Sequence, residues 1–334
     1  MGDPKVVLYK LKGDWGLSSL SIACLQVEAY LRLAKVKFAV QDCPWGSSSP
    51  TGQVPALDTE GGYLIGSDDA ESIASQFEGA REIINHLQHT RITANLDSHL
   101  SPAALADSLS FITLLETKVI PALLYTTWCE DEAYSRLTRP AMGMNLPFPL
   151  SRWLPYSARK GVRAQLGSAS SEDIYKGACK ALDAVSARLV QAANDGYFFG
   201  DQPSTLDSHL FACLAYLRSA PVVHPDLRKK FESHSALVRY VDRVGGQVFS
   251  APVPSAEQVE MKWSSWGTAT GRGGGGSGGA SSSFSTEINY KGKLWLIGAA
   301  VSIAGYVLLS GQYIDVSYGY PGELAEDEEG EELD

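Results

Sequence analysis

The chain has 334 residues, 44% of them hydrophobic, and a formal net charge of −10. Nine acidic residues and no basic one crowd into Asp315–Asp334, so the remainder is one unit from neutral and lacks the basic face that nucleic-acid binding needs. The five cysteines (Cys24, Cys43, Cys129, Cys179, Cys213) are scattered and form no CxxC pair, which excludes a zinc ribbon or a redox dithiol and fits a reducing compartment.

The first residues, Met1–Val6, contain neither an apolar run nor an arginine-rich amphipathic stretch, so no signal or transit peptide is expected there. Lys5–Leu11 reads as a strand. A helix is expected from Ser18, because Leu17, Leu20, Cys24, Val27 and Leu31 step by three and four. Val36–Val40 reads as a second strand, Gln53–Leu57 and Gly62–Ile65 as two more. Ile73, Phe77, Ala80, Ile84 and Leu87 then mark a helix whose start is open between Ser67 and Glu78.

Helices dominate after residue 95. Ser101-Pro102 is an N-cap with proline in the first turn, and Leu105, Leu109, Ile112, Leu115 and Val119 mark a long helix that Pro121 should kink or end. Pro140–Pro155 holds four prolines and is expected to be largely extended. A helix from Ser171 carries Ile174, Ala178, Leu182, Val185 and Leu189 on one face. Ser204 and Asp207 stand in a capping-box pattern opening a helix to Leu217, and a last helix is expected over residues 226–244.

Residues 251–290 lose periodicity and read as a Gly/Ser-rich linker. Leu294–Ile314 is then 21 residues long without a charge, enough to span roughly 30 Å as a helix. It is expected to be a transmembrane tail anchor, followed by the acidic tail 315–334. Gly298, Ser302 and Gly305 step along one face of it and are candidates for helix packing.

The order of strands and helices up to residue 90, followed by an all-helical region at 95–248, resembles the glutathione transferase plan: a thioredoxin-like domain (α/β) and a helical domain. Gly200-Asp201-Gln202-Pro203-Ser204-Thr205-Leu206-Asp207 resembles the start of that fold's central helix, and Val54-Pro55 its cis-proline. Trp15-Gly16-Leu17, Cys43-Pro44-Trp45, Thr138-Arg139-Pro140 and Leu146-Pro147-Phe148-Pro149-Leu150 together resemble the metaxin family. That resemblance implies a non-enzymatic subunit of the sorting and assembly machinery of the mitochondrial outer membrane. It would be single-pass, with its N-terminal domain cytosolic and the acidic tail in the intermembrane space. It implies as partners the β-barrel insertase, a second metaxin-like subunit and β-barrel precursors, and it implies no cofactor. A membrane-anchored glutathione-dependent transferase and a tail-anchored adaptor for mitochondrial transport or morphology are the alternatives.

For the transferase reading, Val54, Pro55 and Ser67 occupy vestigial glutathione-site positions, and Tyr9, Ser18 or Ser19 would have to stabilise a thiolate. Ordinary turn and cap roles fit all of them better. Asp207 with Ser204 reads as a structural cap rather than a general base. The six histidines show no metal spacing, and His86 and His89 read as a solvated pair. Phe148 and Trp153 with Arg152, Arg159, Lys160 and Arg163 are candidates for partner binding, because apolar, proline and basic residues interleave there.

Overall fold

Alternation over the first strand buries every second side chain, giving β1 (Val7–Leu11). β1 pairs in parallel with β2 (Ala39–Cys43), from Val7 opposite Ala39 to Leu11 opposite Cys43. On its other side it runs antiparallel to β3 (Ala56–Thr59), which pairs with β4 (Tyr63–Ile65), in the order β2-β1-β3-β4. The computed structural model describes residues 6–249 apart from 60–62, 67–71, 91–94, 167–168 and 192–195. The expected linker, membrane span and tail, with Ser67, Gly298, Ser302 and Gly305, lie outside the described residues.

Two boundaries in this lobe differ from expectation. The first helix, α1 (Ile22–Leu33), is capped by Ser21 rather than Ser18: the Ser21 hydroxyl accepts the Cys24 amide. The strand expected from Val36 begins at Ala39 because α1 ends in a left-handed turn at Lys35 (φ 55°), with Val36 N–H returning to Leu31 O at 3.0 Å. That turn consumes the residues before the strand. The Val54–Pro55 peptide is cis, and β3 starts just beyond it. The open helix start resolves at α2 (Ile73–His89), where Ser72 and Ser75 cap each other reciprocally at 3.0 and 3.2 Å.

In the helical lobe, α3 (Pro102–Cys129) continues past Pro121 rather than ending there. Wide π turns at Leu115–Val119 and Tyr125–Cys129 flank that proline, and the first leaves room for a ring with no N–H to donate. Leu115 and Val119 are buried, while Leu105 and Leu109 of the expected stripe are exposed: in the regular turns before Leu115 the buried position is Ser108. Among the described residues α3 is the one helix long and apolar enough to cross a membrane, yet its second half is sunk in the protein core.

The proline-rich stretch is not extended. Residues 131–143 form α4 and Leu150–Leu166 form α5, leaving only 144–149 as a turn. Pro140 lies inside α4 directly after its π turn at Tyr134–Thr138, as Pro121 follows one in α3, and Pro149 lies just ahead of α5, where no amide is required. Pro155 lies inside α5 and frees the Ser151 carbonyl, which packs against Gly143 so closely that a Cβ there would meet it at 2.6 Å. α6 (Ser171–Gln191) buries the expected Ala178, Leu182 and Val185. α7 (Thr205–Ser219) follows, and the last expected helix is two, α8 (Pro225–Ser233) and α9 (Ser235–Val248), parted at His234.

Nearly every residue of α1 and α7 is buried, and the two pack on each other, so they carry the join between the lobes. Asp207 sets the start of α7. Its Oδ2 accepts the amide of Ser204 at 2.7 Å and the Ser204 hydroxyl at 2.6 Å, while Oδ1 accepts the Phe198 amide at 2.8 Å and the Tyr240 hydroxyl at 2.6 Å. The carboxylate is wholly buried, which raises its pKa above the usual carboxylate value, and the four hydrogen bonds only partly oppose that rise.

Removing Asp207 strands four buried donors, so the loss exceeds the 0.5–2 kcal/mol of an ordinary cap. Asp207→Ala is expected to cost about 3–5 kcal/mol, read as a drop of about 10 °C or more in melting temperature. An unchanged melting temperature would contradict the network.

His209, on the same helix, is buried, and burial pushes its pKa down. The unfolded chain therefore binds a proton that the folded chain refuses. The resulting stability is present above about pH 6.5 and declines as pH falls, by up to about 1.4 kcal/mol per unit. Denaturant midpoints at pH 7.5 and 5.5 should show this decline, and His209→Gln should lessen it.

Candidate functional site

The turn 144–149 and the start of α5 build a ridge. Its side chains are large, apolar and exposed: Met144 at 68%, Phe148 at 61%, Trp153 at 60% and Tyr156 at 61%. The backbone beneath is firmly set. The Phe148–Pro149 peptide is cis, Pro149 O accepts the amides of Arg152 and Trp153 at 3.0 and 3.1 Å, and Lys12 reaches Asn145 across the lobes at 3.0 Å. No acidic residue occurs between Arg139 and Leu166, which hold five basic ones.

The basic residues divide into two kinds. Arg152 and Lys160 are exposed beside the ridge. Arg159 and Arg163 are engaged inside the chain. Arg159 donates from Nε to Trp128 O at 2.8 Å, lies 4.1 Å over the Tyr134 ring and pairs with Asp131. Arg163 donates from Nη2 to Cys129 O and to Asp131, each at 2.9 Å. These bonds satisfy the last carbonyls of α3 and hold the Asp131 carboxyl below the usual carboxylate range, chiefly through Arg159. Of the six residues expected to meet a partner, Phe148, Trp153, Arg152 and Lys160 are presented outward, and two guanidinium groups are spent on the fold.

Behind the ridge lies a partly open cleft between the lobes with a volume of about 130 Å³. Its walls come from α1, the Trp45 loop and α2 on one side, and from α3, α5 and α7 on the other. Trp153 stands at its edge, so the cleft and the ridge are continuous.

The hydroxyls expected near a thiolate site are committed elsewhere. Ser18 Oγ donates to Glu28 Oε2 at 2.8 Å, and buried Ser19 accepts the Ser21 amide at 3.2 Å. Glu28 itself is buried, held by Arg32 at 2.7 Å and by Lys10. Cys24 is deep in the core, and burial pushes its thiol up to about 11. Val54 is buried beside the cis bond, and Tyr9 is half-buried in β1. Among the described residues no three His, Cys, Asp or Glu side chains converge as metal ligands; His89 bonds its own helix through Asn85 O at 2.7 Å. Glu28 and Arg32 stand one helical turn apart, a spacing the sequence carries, but the links of Lys10 and Ser18 to Glu28 and of Tyr240 to Asp207 had no sequence signal, since each joins residues with no fixed spacing.

A thioredoxin-like sheet with a cis-proline edge, packed through one buried helix onto a helical lobe with an aspartate-capped central helix, defines the glutathione-transferase-like fold. The family model for the glutathione S-transferase C-terminal domain matches residues 178–244. A solved glutathione transferase from Phanerochaete chrysosporium has 15% identity, a TM-score of 0.49 and coverage of 72% of this chain and 96% of its own. A second family model, described as outer mitochondrial membrane transport complex protein, matches residues 24–159. Metaxin-3 of Xenopus laevis is 34% identical over 69% of this chain and 72% of its own length. Metaxin-1 of Mus musculus is 31% identical over 71% and 73%, and that of Sus scrofa is 28% identical over 91% and 90%. The chain belongs to the metaxin family.

Arg159 and Arg152 can be told apart by stability. Arg159→Ala is expected to cost about 2 kcal/mol in denaturant unfolding, because it removes charged hydrogen bonds to backbone carbonyls. Arg152→Ala should stay within about 0.5 kcal/mol of the unaltered protein. Equal effects would show that the two arginines do not differ as described.

Proposed function

We propose that this chain is a non-enzymatic subunit of the mitochondrial outer-membrane sorting and assembly machinery, helping to insert and assemble β-barrel precursors. The observation that carries the reading is the exposed ridge on a fold whose transferase chemistry is tied up, in a member of the metaxin family. Leu294–Ile314 anchors it in the outer membrane as a single pass, with the globular part cytosolic and the acidic tail in the intermembrane space. Lys291 and Lys293 favour that orientation.

The physical need is clear. A β-barrel precursor has unpaired strand edges that are costly in lipid until the barrel closes. A rigid module on a tether raises the effective concentration of a binding surface at the rim of the insertase. Phe148 and Trp153, with Arg152 and Lys160 beside them, supply aromatic anchors and a charged rim of the kind that protein interfaces use. A second metaxin-like subunit completes the assembly. Against the enzyme reading, Ser18 and Ser19 are engaged and Cys24 is buried, so none is poised to stabilise a thiolate.

The chain should co-purify with the barrel insertase. Replacing Phe148 and Trp153 by Ser and Arg152 and Lys160 by Glu should weaken that association at least tenfold without lowering the melting temperature. Cells lacking the protein, with no related chain to substitute, should hold less porin while matrix import continues. Normal porin assembly, or a matrix-import defect appearing first, would overturn the reading, and glutathione-dependent transferase activity would revive the enzymatic one.

A further inference from the structure

The first half of α3 turns its apolar side away from the protein. Across Pro102–Leu114 the one buried residue is Ser108, while Leu105 is 42% and Leu109 67% exposed. At about 100° per residue, Pro102, Leu105, Ala106, Leu109 and Thr113 fall within roughly 100° of arc and form one outward stripe. All five are exposed. The single charge between Ser101 and Leu115 is Asp107, which stands roughly 150° from the centre of the stripe. The outer faces of α2 and α6 show what solvent ordinarily meets: Glu78, Arg81 and Glu82 on one, Lys176, Lys180 and Asp183 on the other.

The hydroxyls on and beside the stripe are turned back into the helix. Ser110 Oγ donates to Ala106 O at 2.8 Å, Thr113 Oγ1 to Leu109 O at 2.8 Å and Thr117 Oγ1 to Thr113 O at 2.7 Å. Each is satisfied by the carbonyl one turn back, although all three residues are exposed and water could serve instead. The stripe is left with methyl and methylene groups and no free side-chain donor. Such a surface can leave water without stranding a polar group.

Its size and its charge select what covers it. The stripe is about 17 Å long and a helix is about 10 Å across, so it offers a few hundred Å², well short of the roughly 800 Å² per partner in a stable protein interface. A bilayer needs no such area. On the reading that Leu294–Ile314 spans the outer membrane, on which this inference rests, residues 250–293 already hold the folded part near the lipid surface. An uncharged stripe also matches zwitterionic headgroups and lacks the basic residues that anionic ones attract. α5 meets α3 at its other end, where Arg159 and Arg163 bond the Trp128 and Cys129 carbonyls, so the stripe is separate from the ridge. We propose that the outer face of α3 from Pro102 to Thr113 lies on the zwitterionic surface of the bilayer, with Leu105 and Leu109 below the headgroups.

The test places an environment-sensitive fluorescent amino acid at Leu109 of the full-length chain in phosphatidylcholine nanodiscs, with Arg239, exposed on α9, as the control position. Emission from position 109 should shift to the blue, and lipids carrying a nitroxide just below the headgroup should quench it about twofold or more. Position 239 should show neither effect. Leu105→Glu should restore water-like emission at position 109 with little change in melting temperature, since Leu105 is exposed. Raising the salt concentration tenfold should leave the quenching unchanged, because no charge is involved. Water-like emission from position 109 in the anchored chain would overturn the inference and leave the anchor standing. A blue shift without lipid quenching, with two chains in each disc, would overturn it in favour of a second copy. A chain that fails to stay with the nanodisc would overturn the anchor reading, and the inference with it.

Discussion

The buried carboxylate of Asp207 is the constraint on which the rest of the structure depends. Among the described residues it has no cationic partner and is held instead by four donors from three parts of the chain: Ser204 twice, the Phe198 amide and the Tyr240 hydroxyl. An ionised group at this depth persists only when all its lone pairs are used. The arrangement fixes where α7 begins and joins it to the 196–200 loop and to α9. α1 in turn packs on α7, so the placement of the thioredoxin-like sheet follows from the same carboxylate.

A second buried group, Glu28, works from the other side of that contact. It takes Arg32, Lys10 and the Ser18 hydroxyl, and Arg32 continues to Phe249, stacking on its ring at 4.5 Å. The hydroxyl nearest the first helix is thereby used to hold the lobes rather than offered to solvent. In this chain the side chains that a transferase would expose are built into the scaffold, and what is exposed is a ridge of aromatic and basic side chains. A scaffold fastened in this way can present a surface without rearranging when it meets a partner.

Much of this was legible in the sequence where the signal is local. Ser204 and Asp207 announced α7, Ser101-Pro102 announced α3, and the three-four spacing found the buried faces of α2 and α6. What failed did so for nameable reasons. The prolines between 140 and 155 suggested extended chain, but Pro149 lies just ahead of a helix start, Pro140 follows a π turn inside α4, and Pro155 is accommodated inside α5. Leu105 and Leu109 were read as core because they are apolar, but the face turned inward there carries the polar Ser108, which an apolar stripe does not mark. Val36–Phe38 looked like a strand because a left-handed helix end without glycine, at Lys35, leaves no compositional mark. Arg159 and Arg163 looked like a basic face, and only the tertiary structure reveals that the carbonyls at the end of α3 claim them. The cleft had no signal at all, since its walls come from eight separate segments.

The central claim is that the ridge at Phe148–Tyr156 is the face this protein turns to the membrane-embedded barrel machinery. The most direct measurement places a photo-crosslinking amino acid at Trp153 or, as a control, at the exposed Val190 on α6, and irradiates intact mitochondria carrying the full-length chain. The account predicts a strong adduct from position 153 with a β-barrel protein of the outer membrane and none from position 190. Adducts of equal yield from both positions, or adducts from position 153 with soluble proteins alone, would contradict it.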